Sequence, residues 1–181
     1  MGDKQTSAKI VLIGENRVGK TSIRRQYSGL GFRTEHLMTI GTEFSQKEVI
    51  LETQKIDIHI WDIASDLNYE TLRRQKYLRK TNGAMIVFDL SRYETFFRLT
   101  YWLNELFEAN PRSKIPILFV GNKTDLVRER AIPNEDALKF VEHIKNDKTM
   151  KTSWVGYIET SAKKGENIEE SFNLLADAIF V

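Results

Sequence analysis

The run Gly14-Glu15-Asn16-Arg17-Val18-Gly19-Lys20-Thr21 follows directly on an apolar segment and leads into one with helical spacing. It matches G-x-x-x-x-G-K-[ST] in the strand-to-helix setting that gives the pattern its chemistry. The glycines let backbone N–H groups turn inward around phosphate oxygens, and the positive end of the helix dipole adds to that field. Lys20 is expected to reach the β- and γ-phosphates of a nucleotide, and the Thr21 hydroxyl to ligate Mg²⁺. This cradle alone leaves kinases, ATPases and GTPases open. Two further runs, Gly121-Asn122-Lys123-Thr124-Asp125 and Glu159-Thr160-Ser161-Ala162-Lys163, each close an apolar segment. Both belong at the carboxyl edge of a sheet, where open α/β sheets bind ligands. A carboxylate offers two acceptors in one plane, matching the adjacent N1–H and N2–H₂ donors of guanine, so Asp125 is expected to select guanine over adenine. That choice, and the lack of a lid-like insertion, disfavours a P-loop phosphotransferase acting on another substrate.

Short β-rich apolar runs that end at Gly or Asp alternate with longer amphipathic stretches, the pattern of an α/β fold. Strands are expected at Lys9 to Ile13, Glu43 to Leu51, Lys55 to Trp61, Ala84 to Asp89, Ile117 to Val120 and Val155 to Glu159. The first, fourth and fifth are nearly continuous apolar runs, as strands covered on both faces should be. Ile56, Ile58 and Ile60 alternate with polar residues instead. Glu52-Thr53-Gln54 joins this strand to the one before, which predicts an antiparallel hairpin at the edge of the sheet. Helices are expected near Lys20 to Ser28, Tyr69 to Leu78, Tyr93 to Ala109, Glu135 to Lys145 and Ile168 to Ile179. Asn134 reads as an N-cap ahead of Glu135 and Asp136, and Asn167 as a capping box with Glu170. The expected architecture is a doubly wound P-loop NTPase fold, a six-stranded, mainly parallel sheet with one antiparallel edge strand, in a single domain over residues 1–181.

Composition narrows the chemistry further. Of 181 residues 41% are hydrophobic, enough for a sizeable core. The 27 Lys and Arg against 25 Asp and Glu leave a net charge of +2, too weak a field to gather nucleic acid, so no nucleic-acid partner is expected. Without cysteine there is no disulfide, thiolate chemistry, Cys-ligated zinc or thiol-borne lipid. His36, His59 and His143 are scattered without a carboxylate pattern, which argues against zinc or a nucleophilic triad. No apolar run approaches bilayer length and the first nine residues are polar, so the expected setting is cytoplasmic, with peripheral contact at a membrane surface left open. Met1-Gly2-Asp3-Lys4-Gln5-Thr6 fits the short and common myristoylation pattern, with Gly2 as acceptor. The sequence stops at Val181 directly after the last expected helix with no cysteine tail, so a cysteine-borne lipid anchor is missing from it either by nature or by truncation.

The cradle, N-K-x-D at Asn122 to Asp125 and S-A-K at Ser161 to Lys163 occur in the order and spacing of the Ras superfamily of small GTPases, which this chain resembles over nearly its whole length. Thr39-Ile40-Gly41-Thr42-Glu43-Phe44, Ile60-Trp61-Asp62 and Trp102-Leu103-Asn104-Glu105 look most like the Rab branch. The resemblance implies a signalling or vesicle-trafficking switch that binds GTP or GDP with Mg²⁺. It places Gly14, Asn16, Arg17, Val18, Gly19, Lys20, Thr21 and Ser22 around the phosphates, and Phe32, His36, Thr39, Asn122, Lys123, Asp125, Ser161, Ala162 and Lys163 in the rest of the nucleotide site. Asn122 would tie the base loop to the cradle, the Lys123 stem would pack on the base, Ala162 N–H would serve the guanine oxygen and Phe32 would stack edgewise. Thr21, Thr39 and Asp62 would hold the metal, Asp62 through water. Effectors and regulators would dock around Thr39 to Phe44 and Asp62 to Lys80.

Where the family follows its metal-associated Asp with T-A-G-Q, this chain has Asp62-Ile63-Ala64-Ser65-Asp66-Leu67. Ser65 replaces the Gly whose N–H meets the γ-phosphate and loses easy access to positive φ. Asp66 replaces the Gln that orients the attacking water, is shorter, and brings negative charge toward an anionic phosphate. Lys20, Ser65 and Asp66 are thus the catalytic positions, two of them altered, and weak GTPase activity is expected. The alternative is a GTP-locked or nucleotide-insensitive interaction module. Asn16 and Arg17 add bulk where Ras has glycines. Arg73, Arg74, Lys76, Arg79 and Lys80 read as a solvated helix face, or else as a dock for an acidic partner or anionic headgroups. Phe96, Phe97, Tyr101, Trp102 and Phe107 read as the buried face of a helix.

Overall fold

The computed structural model describes residues 7–33, 39, 41–51, 54–65 and 73–180, the side chains of 73–75 excepted. Gly2, His36, Asp66, most of the loop Glu52-Thr53-Gln54 and the first half of the helix expected from Tyr69 lie outside the described residues. So do the side chains of Arg73 and Arg74. The strands are β1 (Ser7–Ile13), β2 (Thr42–Leu51), β3 (Gln54–Ile63), β4 (Gly83–Asp89), β5 (Ile117–Asn122) and β6 (Val155–Thr160). The helices are α1 (Lys20–Tyr27), α2 (Tyr93–Phe97), α3 (Leu99–Ala109), α4 (Asn134–Asn146) and α5 (Ile168–Phe180), with a π-helical stretch at Arg73–Leu78.

The sheet runs β2-β3-β1-β4-β5-β6. All neighbours are parallel except the β2–β3 hairpin, which puts the antiparallel strand at the edge as its alternating pattern predicts. The apolar runs sort by period two onto opposite faces. Val11, Ile13, Ile86, Phe88, Ile117 and Phe119 pack under α3 and α4 through Trp102, Leu106, Val141 and Ile144. Ile10, Leu12, Met85, Val87, Leu118 and Val120 pack under α1 and α5 through Ile23, Tyr27, Phe172 and Leu175. Layers on both faces make the sheet doubly wound. After β1 the chain builds to one side through β3, then crosses to the other through β4, so the carboxyl end of β1 is the switch point where a ligand crevice opens.

Three local expectations need correction. The segment from Tyr93 to Ala109 is two helices broken at Arg98 (φ −80°, ψ −2°), and Phe97, on the short first one, is 72% exposed rather than buried. Asn134 is the first residue inside α4; Pro133, extended at φ −62° and ψ 145°, holds the cap position, and its carbonyl accepts from Asp136 and Ala137 N–H. Proline at that point has its φ already set. Asn167 sits at φ 56° and donates through Nδ2 to Glu159 O at 2.8 Å, so it serves the β6–α5 connection rather than a capping box with Glu170.

Candidate functional site

The cradle loop owes its path to two glycines. Gly14 has φ 138°, and a Cβ there would lie 2.1 Å from Val87 O. Gly19 has φ 103°, and a Cβ would lie 2.1 Å from Asn122 Nδ2. Any side chain at either place would push the loop off β4 or off the base loop. Between them Arg17 is held at φ 61°, a conformation that costs a non-glycine residue on the order of 1 kcal/mol. Lys20 opens α1, is 7% exposed, and donates through Nζ to Gly14 O and Glu15 O, both at 2.8 Å. Its ammonium therefore sits over the mouth of the loop. Asn16 and Arg17 are exposed at the rim, Val18 is buried beneath it, and Ser22 is partly buried in the first turn of α1.

Asn122, 1% exposed at the end of β5, joins three segments. Its Nδ2 donates to Val18 O at 2.8 Å, while its Oδ1 accepts from Thr160 Oγ1 and from Ala162 N, each at 3.1 Å. The tie between base loop and cradle that the resemblance implied is present in the geometry. Ser161 Oγ donates to Asp125 Oδ1 at 2.6 Å, fixing one carboxylate oxygen. Lys123, at φ 76°, turns back so that Nζ lies 2.7 Å from Asp89 Oδ2. Phe32 is partly buried in the loop after α1, and Lys163 is exposed. Ser22, Phe32 and Lys163 make no side-chain hydrogen bond to these groups among the described residues.

Thr21, Thr39 and Asp62 converge on one corner. Thr21 Oγ1 donates to Asp62 Oδ2 at 2.5 Å and lies 2.9 Å from Thr39 Oγ1. Asp62 is fully buried, and its Oδ1 has no hydrogen-bond partner among the described residues. Burial pushes its carboxyl above the usual range, against the Thr21 hydrogen bond and the Lys20 and Arg24 cations. Two hydroxyls and an orphaned, desolvated carboxylate oxygen beside a phosphate cradle are the hard oxygen donors that suit Mg²⁺ with its retained waters. Ser65 is partly buried just beyond β3, next to Ala64, whose N–H donates to Gly41 O at 3.0 Å.

Several contributors carry no motif. Asp89, at the end of β4, holds Arg92 Nε at 3.0 Å, Ser91 N at 2.9 Å and Ser91 Oγ at 2.7 Å besides Lys123. Arg92 Nη2 in turn grips Asn16 O at 2.6 Å. Glu15 Oε1 accepts from Arg98 Nε at 3.0 Å and Trp102 Nε1 at 3.1 Å. The cradle is thereby stapled to α2 and α3. Outside it, Phe44, 51% exposed, meets Trp61 edge-on at 5.5 Å, and Trp61 meets Tyr77 at 6.4 Å, an aromatic row across β2, β3 and the π-helical stretch.

The profile of the Ras family matches residues 9–181. Over 95% of its length the chain is 36% identical to the Ras-related protein RABA4a of Arabidopsis thaliana, covering 71% of that protein. It is 37% identical to the GTP-binding protein ypt3 of Schizosaccharomyces pombe, with 75% of that protein covered. Against the Ras-related protein Rab-25 of Bos taurus the identity is 36%, with 76% covered.

Proposed function

Since the chain belongs to the Ras family and is Rab-like in its motifs, we propose that it is a guanine-nucleotide switch of one domain over residues 1–181, holding GTP or GDP with Mg²⁺ and hydrolysing GTP slowly. The observation that carries this reading is Asn122, which binds the cradle, the base loop and the Ala162 loop into one unit while Ser161 holds Asp125. In it, Asp125 pairs with the guanine N1–H and N2–H₂, Lys20 leaves Gly14 and Glu15 carbonyls for phosphate oxygens, and Thr21, Thr39 and Asp62 hold the metal. Mg²⁺ bound there supplies charge neutralisation at the phosphates. The aromatic row of Phe44, Trp61 and Tyr77 offers effectors and regulators an apolar surface, consistent with a trafficking role at a membrane periphery. Among the described residues no helix is long and apolar enough to cross a membrane.

Ser65 and Asp66 favour slow hydrolysis, and in the extreme a GTP-locked interaction module, because neither restores the loop freedom or the neutral water-orienting amide of the family. The test combines specificity with single-turnover hydrolysis. Wild-type protein should bind GTP and GDP over adenine nucleotides, and Asp125→Asn should gain affinity for XTP at the expense of GTP. Hydrolysis should run below about 10⁻⁴ per second, the scale of unassisted Ras. Ser65→Gly with Asp66→Gln should raise that rate more than Asp66→Gln alone. Ordinary small-GTPase turnover that slows in Asp66→Ala would make Asp66 a working catalytic residue and overturn the slow-switch reading.

A further inference from the structure

Arg24 is a charged side chain that the nucleotide chemistry described so far does not use, yet it is only 6% exposed and lies beside the metal corner. It follows Lys20 by four residues and Thr21 by three, so it projects from the same face of α1. The β2–β3 register places Glu43 directly opposite Asp62. Cross-strand partners share a face of the sheet, so two carboxylates meet on the side covered by α1. The guanidinium of Arg24 stands between them. Nη2 donates to Glu43 Oε2, Nη1 donates to Ser45 Oγ at 2.6 Å, and Nε lies 3.8 Å from Asp62 Oδ2. Nε has no hydrogen-bond partner among the described residues. The guanidinium thus meets the buried Asp62 as a neighbouring charge rather than through a direct hydrogen bond.

We propose that Arg24 is a resident counter-cation of the magnesium corner, a positioning residue that compensates Asp62 when the metal is gone and opposes the metal when it is present. The inference rests on the guanine-nucleotide reading above. Its physical content is a difference between two states. Without Mg²⁺, an uncompensated Asp62 repels the nearby phosphates, and a fixed positive charge reduces that repulsion. With Mg²⁺, the same fixed charge repels the dication across a poorly solvated corner. Both effects shrink the gap in nucleotide retention between metal-bound and metal-free protein. By linkage, the same coupling lowers the affinity of the nucleotide complex for Mg²⁺. An ion pair that merely closed the edge hairpin onto α1 would do neither.

The readout is the release rate of a fluorescent GDP analogue, measured in excess EDTA and in millimolar Mg²⁺, and expressed as the ratio of the two. Arg24→Met keeps the apolar stem and removes the charge. It should raise that ratio about tenfold over wild type and lower by a similar factor the free Mg²⁺ that gives half-maximal retention. Arg24→Lys, which restores a cation, should return the ratio most of the way to wild type. Glu43→Gln removes the ion pair on β2 but leaves Ser45 to hold Arg24 beside Asp62, so its ratio should stay at or below that of wild type. If Arg24→Met does not fold, Arg24→Gln against Arg24→Lys makes the same comparison. An unchanged ratio in a folded, charge-removed variant overturns the proposal, as does a Glu43→Gln variant that behaves like Arg24→Met. A wild-type protein that retains the analogue at no Mg²⁺ concentration overturns the nucleotide reading itself, and this inference with it.

Discussion

Asp89 organises the base side of the site although it belongs to no motif. It is fully buried at the end of β4, and its carboxylate gathers Lys123 Nζ at 2.7 Å, Arg92 Nε at 3.0 Å and both donors of Ser91. Burial pushes its carboxyl up, but the hydrogen bonds from Lys123 and Ser91 outweigh that and hold it below the usual range. A carboxyl depressed in the folded state stabilises the fold in full above its unfolded value, and that contribution is lost as pH falls through the folded one. Asp89→Asn should therefore cost on the order of 1–3 kcal/mol near neutral pH, with the gap from wild type closing below about pH 4 as wild-type Asp89 takes up a proton. Urea melts across that range check it; a gap constant with pH would mean the charge of Asp89 is not what stabilises the pair. The weight of Asp89 could not be seen in the sequence, where it reads only as the end of an apolar run. Its partners Lys123 and Arg92 reach it from two different loops. Gly14, Gly19, Lys20 and Thr21 can be picked out because their spacing is local, Asp125 because its two acceptors match one donor pair of guanine, and Asn122 only through the family resemblance. Arg24 and Glu15 escaped for the reason that hides the Asp89–Lys123 contact, since each pairs with an element distant in the chain.

At the level of elements, the break at Arg98 is the clearest place where tertiary contacts override periodicity. The aromatic spacing from Tyr93 to Phe107 reads as one helix, yet the turn at Arg98 separates α2 from α3 and lets Arg98 Nε and Trp102 Nε1 converge on Glu15 Oε1. Phe97, the last residue of α2, faces outward. The two asparagine caps failed similarly: Pro133 already sets the entry to α4, and the Asn167 amide is drawn to β6. Strand boundaries fared better, because Ile117 to Val120 and Ala84 to Phe88 are apolar at every step and only fully covered strands tolerate that. If the Glu15 staple holds the cradle to α3, Glu15→Ala should cost on the order of 1–3 kcal/mol, since it removes the charged acceptor shared by two donors, one of them on a buried tryptophan. Arg98→Ala should cost less than about 1 kcal/mol, because that pair is 41% and 28% exposed and water screens it. Denaturant titrations of both variants decide the matter. Equal losses would place the energy in the ion pair and not in the Trp102 contact.

The whole molecule brings its three candidate nucleotide loops together only by folding. Residues 14–21 follow β1, 122–125 close β5 and 161–163 follow β6, so the site exists only when the parallel order β1-β4-β5-β6 has formed. That order was legible as a class, from alternating strands and helices and from the hairpin pattern of β2 and β3. The switch point at β1 then follows from topology. A ligand that contacts all three loops binds the folded chain and not the unfolded one, so it must raise stability by mass action. At a hundred times its Kd the gain is about 2.7 kcal/mol. For a chain of this size each kcal/mol moves the midpoint by roughly 2–4 °C, so GDP with Mg²⁺ should raise Tm by roughly 5–11 °C. ADP with Mg²⁺ carries the same diphosphate but lacks the donor pair that faces Asp125, and should give little shift at the same concentration. Differential scanning fluorimetry with both nucleotides separates the two halves of the site. Equal shifts for GDP and ADP would leave the cradle standing and remove Asp125 as the selector of the base, whereas no shift with either would remove the cradle as a phosphate site.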